Sequence, residues 1–79
     1  MTINILAFGI IKEIFDSSKI EIELNNANTD TLRKLLEEKY PRLKQLKSFM
    51  IAVNNEYANA DTMIHEKDEV AVIPPVSGG

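Results

Sequence analysis

The chain opens with alternation of period two. From Thr2 to Phe8, Ile3 and Ile5 interleave with Thr2, Asn4 and Leu6, and the richness in β-branched residues predicts a strand. Lys19 to Leu24 repeats the pattern more cleanly. Ile20, Ile22 and Leu24 share one face, and Lys19, Glu21 and Glu23 share the other, which predicts a strand with one wet face. Between them, Gly9 marks a bend. Ile10 to Phe15 carries Ile10 or Ile11 about one helical turn from Ile14, and Asp16-Ser17-Ser18 is a turn cluster. Two strands this close in sequence predict a hairpin-like pair.

The period then changes. After the loop Asn25-Asn26-Ala27-Asn28, residues Leu32, Leu35, Leu36 and Tyr40 recur at helical spacing, with Arg33, Lys34, Glu37 and Glu38 outward. Asn28 or Thr29 suits the N-cap, and Asp30 in the first turn complements the dipole. Pro41 ends the helix near Tyr40. Leu43 and Leu46 predict a short 3₁₀ or helical piece, and Phe49 to Asn54 a third strand. A turn at Asn54-Asn55-Glu56 precedes a short strand around Tyr57. His65 to Asp68 reverses the chain, and Glu69 to Ile73 is the last strand.

The order is ββαβ(β)β with one main helix, whose apolar stripe must be buried on a sheet face. This predicts an α+β fold of the β-grasp (ubiquitin-like) class: a mixed sheet, one main helix packed on one face and an extended C-terminal tail. Residues 1–73 form the domain and residues 74–79 the tail. Met50, Met63 and Ile64 read as core.

Composition narrows the chemistry. Seventy-nine residues make one small domain, and the net charge of −3 offers no basic footprint for nucleic acid and no polybasic membrane patch. A partner with a positive surface is the easier match. No apolar run approaches a membrane span, and Met1-Thr2-Ile3-Asn4 lacks a charged leader region; the expected location is cytoplasmic. There is no cysteine, so disulfides and thiolate chemistry are excluded. His65 is the single histidine. It sits among Glu66, Asp68 and Glu69 and reads as part of a solvated turn, since no second histidine or cysteine completes a usual metal site.

The end of the chain is the unusual part. Two of the three glycines are Gly78 and Gly79, and a terminal pair arises by chance in about 0.5% of chains. Val70-Ala71-Val72-Ile73 leads into Pro74-Pro75, then Val76-Ser77-Gly78-Gly79. Proline stiffens the approach, and side-chain-free residues enter a pocket too narrow for a Cβ. Phe8 suits a core position and an interface position equally. Tyr57, just after a polar turn, and Ile73, at the foot of the tail, suit an interface.

These residues carry a resemblance. Ile5-Leu6-Ala7-Phe8 with Ile11-Lys12-Glu13, then Ala52-Val53-Asn54-Asn55-Glu56-Tyr57, then Asp68 through Gly79 look like the MoaD-like branch of the ubiquitin-like sulfur carriers, the small subunits of molybdopterin synthase. The resemblance spans essentially the whole chain. Gly-Gly is common to all such carriers, whereas Pro74-Pro75-Val76-Ser77 is more particular to this branch. Asn55 stands where many relatives carry glycine; asparagine tolerates positive φ, so the turn is expected to survive.

The resemblance implies a chemistry. A carboxylate does not exchange oxygen for sulfur unaided, because oxide is a very poor leaving group. An E1-like adenylating enzyme, using ATP and Mg²⁺, joins the Gly79 carboxylate to AMP, and a sulfur donor protein supplies the sulfur that makes a thiocarboxylate. The tail from Pro74 to Gly78 then enters the large subunit, where the sulfur attacks a cyclic pyranopterin monophosphate. Phe8, Tyr57 and Ile73 match apolar partner-facing positions, and the assembly is a heterotetramer. No permanently bound cofactor and no metal site are implied, and catalytic residues belong to the large subunit. Three other readings stand beside this one: a carrier for thiamine synthesis or tRNA thiolation, a ubiquitin-like protein modifier, and a passive interaction module.

Overall fold

Both alternating segments form strands. β1 (Thr2–Ala7) and β2 (Lys19–Glu23) pair antiparallel, with Ile3 opposite Ile22 and Ile5 opposite Ile20. The connection holds a six-residue helix, α1 (Ile10–Phe15), so the pair is hairpin-like with a helical turn inserted. The computed structural model describes residues 1–25, 27–46 and 48–75. Within it follow α2 (Thr29–Lys39), a 3₁₀ turn (Pro41–Gln45), β3 (Met50–Val53), β4 (Glu56–Tyr57) and β5 (Val70–Ile73). The five strands make one mixed sheet in the order β2-β1-β5-β3-β4. β5 lies parallel to β1, and the other pairings are antiparallel. This is the β-grasp architecture, with α2 as the main helix.

The start of α2 shows how local chemistry anchors it. The Asn28 side chain accepts from the Thr31 N–H at 2.9 Å, as an N-cap should. The first two helical N–H groups donate to Thr62 and Ala60 carbonyls at 2.9 and 3.2 Å. Thr29, the buried polar residue here, donates its hydroxyl to the Asn59 carbonyl. The donors that a helix leaves unpaired at its start are therefore satisfied by the 59–62 loop and the Asn28 side chain together.

One core sits between the helices and one sheet face. Leu32 and Leu36 from α2 and Ile11 and Phe15 from α1 meet Ile3, Ile5, Ile22, Ile51, Val70 and Val72. Leu43 plugs it from the 3₁₀ turn, and Phe15 packs on Tyr40 with ring centroids 4.5 Å apart.

Three sequence expectations change. Met50 and Met63 are not core: they are 43% and 46% exposed, while Ile64 is buried as expected. Met50 falls on the opposite parity to Ile51 and Val53, which turns it to the face without helices. Arg33 does not point free into solvent. Its guanidinium lies 4.3 Å from the Phe49 ring centroid and donates to the Phe49 carbonyl at 2.8 Å. Phe49 itself is buried ahead of β3 rather than within it.

Candidate docking face and tail foot

The face of the sheet without helices is where the candidate residues gather. Strand alternation sends Ile5 and Ala7, Ile51 and Val53, and Val70 and Val72 into the core. Leu6, Ala52, Ala71 and Ile73 are left on the other side. The register aligns them: Leu6 opposite Ala71, Ala71 opposite Ala52, Ala52 opposite Tyr57, and Met50 opposite Ile73. Small alanines in the centre and large side chains at the sides make a concavity. It is a groove of about 290 Å³ lined by Leu6, Phe8, Ala52, Asn55, Tyr57, Glu69, Ala71 and Ile73.

Phe8, Tyr57 and Ile73 thus belong to one surface feature. Phe8 is 45% exposed and Tyr57 65% exposed, which removes Phe8 from the core. Ile73 is half-buried. The central alanines, Ala52 and Ala71, were not singled out in the sequence. Their alternation with Val53, Val70 and Val72 is the signal that marks them, because a small residue on an unpartnered face leaves a hollow.

Tyr57 is presented by a tight hairpin. Val53 pairs with Glu56, leaving Asn54 and Asn55 as a two-residue loop, both at positive φ (53° and 68°). That is the signature of a type I′ turn, for which asparagine is suited. Asn54 also ties the hairpin to the loop before β5. Its backbone N–H donates to the Glu69 carbonyl at 2.8 Å, its side-chain oxygen accepts from the Glu69 N–H at 3.0 Å, and its amide donates to Asp68 at 2.9 Å. Asp68 accepts the His65 N–H at 2.7 Å on its other oxygen. The His65 N–H, then the Asn54 amide, hold the Asp68 carboxyl below its ordinary range. His65 therefore takes part in a turn, and among the described residues no group of three or more metal-ligating side chains forms.

The tail starts at the upper end of this face. Because β5 runs parallel to β1, Ile73 ends level with Phe8, and the chain leaves beside Gly9. Pro74 packs against Gly9, at a spot where an added Cβ would come within 2.9 Å of the proline ring. Pro74 and Pro75 are half-buried. The candidate positions Val76, Ser77, Gly78 and Gly79 lie outside the described residues. Among the described residues no helix is long and apolar enough to cross a membrane.

The ThiS family model matches residues 5–79. The chain belongs to the ThiS family. It is 39% identical over 96% of its length to the molybdopterin synthase sulfur carrier subunit of Dictyostelium discoideum, covering 94% of that protein. Among solved structures it resembles a complex of subunits 1 and 2 of molybdopterin-converting factor from Helicobacter pylori. There the TM-score is 0.70, with 30% identity over all of both chains. It also shares its fold with SAMP1 of Haloferax volcanii, at a TM-score of 0.83 and 21% identity over all of both chains. The ThiS-family membership and the ubiquitin-like fold agree with the resemblance read from the residues. Asn55, which stands where many relatives of this ThiS-family chain carry glycine, adopts the positive φ of 68° that the turn requires.

Proposed function

We propose that this protein is the sulfur carrier subunit of a molybdopterin synthase, with the Gly79 carboxylate as the group that carries sulfur. The observation that carries the reading is the coincidence, at one end of one sheet face, of an apolar groove and the departure of the chain toward Gly78-Gly79. The near-full-length likeness to a subunit of that name, and to a two-subunit complex, supports it.

In the proposed sequence an E1-like partner binds ATP and Mg²⁺. A Gly79 carboxylate oxygen attacks the α-phosphorus, pyrophosphate departs and an acyl-adenylate forms. A sulfide-level sulfur from a donor protein then adds to the acyl carbon and AMP leaves, giving the thiocarboxylate. In the large subunit, that sulfur adds to an electrophilic carbon of a cyclic pyranopterin monophosphate, and water then cleaves the acyl–sulfur bond, leaving the sulfur on the pterin and returning the Gly79 carboxylate. This chain's own contribution is placement. Phe8, Tyr57 and Ile73 supply the apolar seat, and Pro74-Pro75 aim the tail. Gly78-Gly79 pass through a channel too narrow for side chains. One seat serves both the adenylating enzyme and the large subunit, so the two bind in turn.

The test is transfer from isotopically labelled, thiocarboxylated carrier to the pterin precursor in the presence of the cognate large subunit. Label arriving in the pterin supports the reading. Label that fails to reach the pterin but is transferred to a thiamine precursor or a tRNA, or an isopeptide bond formed from Gly79 to lysines, points to another ThiS-family role.

A further inference from the structure

The groove is mostly apolar, with Asn55 and Glu69 as its polar lining residues. Of the eight residues that line it, Glu69 is the one that carries a charge. Among the described residues its carboxylate has no hydrogen-bond or ion-pair partner, while Asn54 fixes its backbone from both sides. An exposed carboxylate thus rises from a fixed stretch of backbone onto a surface that is otherwise mostly apolar. Strand alternation places it in line with Ala71 and Ile73, about 13 Å from the foot of the tail at about 3.3 Å per residue.

We infer that Glu69 selects the groove's occupant: the protein surface that seats here presents a lysine or arginine to this carboxylate beside the apolar group that fills the hollow. The inference rests on the docking role proposed above and adds the charge of the partner. An apolar surface lacking a cation would strip water from Glu69 and leave it unpaired, which is costly. A surface with the cation in register converts the same desolvation into a charge-assisted bond. Rejection of the wrong partner therefore comes from the same atoms as recognition of the right one. The other charges on this face are mixed in sign: Lys19, opposite Leu6, shares it with Glu21 and Glu23, while the whole chain carries −3. Two points, the foot of the tail at Pro74 and the Glu69 pair, with an apolar contact between them, define how the partner is oriented.

The experiment is the association rate of the full-length chain with its cognate large subunit, followed against ionic strength, for wild type, Glu69→Gln, Glu69→Lys and Tyr57→Ser. At low salt, Glu69→Gln is expected to associate about two- to fivefold more slowly, and Glu69→Lys to lose roughly the square of that factor. Both variants should show a flatter salt dependence and unchanged melting. Tyr57→Ser is expected to raise the dissociation rate at every salt concentration. Wild-type rates and salt slopes in both Glu69 variants, alongside a weakened Tyr57→Ser, would overturn the Glu69 inference and leave the docking role standing. A wild-type chain that does not bind the large subunit overturns both.

Discussion

Pro74 rests on Gly9. The proline ring occupies the space that a Cβ on residue 9 would enter, at 2.9 Å, and Gly9 itself has φ 55° and ψ −134°. That backbone conformation is essentially reserved for glycine. The bend that ends β1 and the proline that begins the tail therefore fit each other, and the tail's direction is set by the domain. Gly9→Ala is expected to cost about 1–3 kcal/mol, from backbone strain and the clash together. Urea unfolding measures it. A double variant that also carries Pro74→Ala should recover the steric part and keep the backbone part. An alanine at position 9 with wild-type stability would contradict this fit.

Asp68 gives the fold a pH dependence with a definite sign. Its carboxyl is lowered from an ordinary value of 3.8, first by the His65 N–H and then by the Asn54 amide. A depressed carboxyl stabilises the folded state fully above its unfolded value and ceases to do so as pH falls through the lowered one. Asp68→Ala should thus lose about 1–2 kcal/mol at neutral pH, for the charge-assisted hydrogen bonds removed. The loss should shrink progressively below the ordinary carboxyl value. Urea midpoints of wild type and variant at pH 7 and near pH 2.5 test it. A difference that stays constant across that range would show the carboxylate's charge to be irrelevant.

Arg33 secures the entry to β3 through its plane and its charge. It covers the Phe49 ring and donates to the Phe49 carbonyl. Arg33→Ala is expected to lower stability by about 1–2 kcal/mol. Arg33→Lys should recover only part, because an ammonium lacks the flat face that stacks on the ring. Thermal melts of the two variants order them. Equal stability of alanine and lysine variants would show that the charge contributes nothing and that the flat guanidinium carries the whole effect.

Tyr57 separates docking from folding. It stands 65% exposed on a two-residue edge strand, so Tyr57→Ser should change the unfolding free energy by less than about 0.5 kcal/mol. The same substitution should weaken capture of the large subunit by about tenfold or more, as expected for an aromatic anchor. Calorimetric titration and melting, done on one preparation, check the pair. A large fall in melting temperature would return Tyr57 to the fold.

Much of the architecture was legible because burial here follows alternation. Ile3/Ile5 and Ile20/Ile22 face the core, and the asparagine before the helix caps it. The misreadings share a cause. Met50 and Met63 look like core because they are apolar, but the register of β3 turns Met50 outward, and Met63 lies outside the five strands on an isolated bridge to Asn28, both set by partners distant in sequence. Arg33 looks solvated from the sequence because helical periodicity sees only the helix, not the Phe49 that arrives later in the chain. The site was legible at its large side chains, Phe8, Tyr57 and Ile73. It was not legible at Ala52 and Ala71, which shape the groove by what they lack, or at Gly9, whose fit to Pro74 spans nearly the whole sequence.

The central claim concerns Gly79, and one measurement addresses it directly: intact mass with fragmentation of the C-terminal peptide, after incubation with the cognate adenylating enzyme, ATP, Mg²⁺ and a sulfur source. Fragmentation is essential because oxygen-to-sulfur exchange nearly matches the mass of one added oxygen, and the three methionines are oxidisable. The account predicts sulfur in place of one oxygen at Gly79, and none when Gly79 is deleted from a chain that melts as the wild type does. An unmodified Gly79, under conditions that load an established carrier, would contradict it.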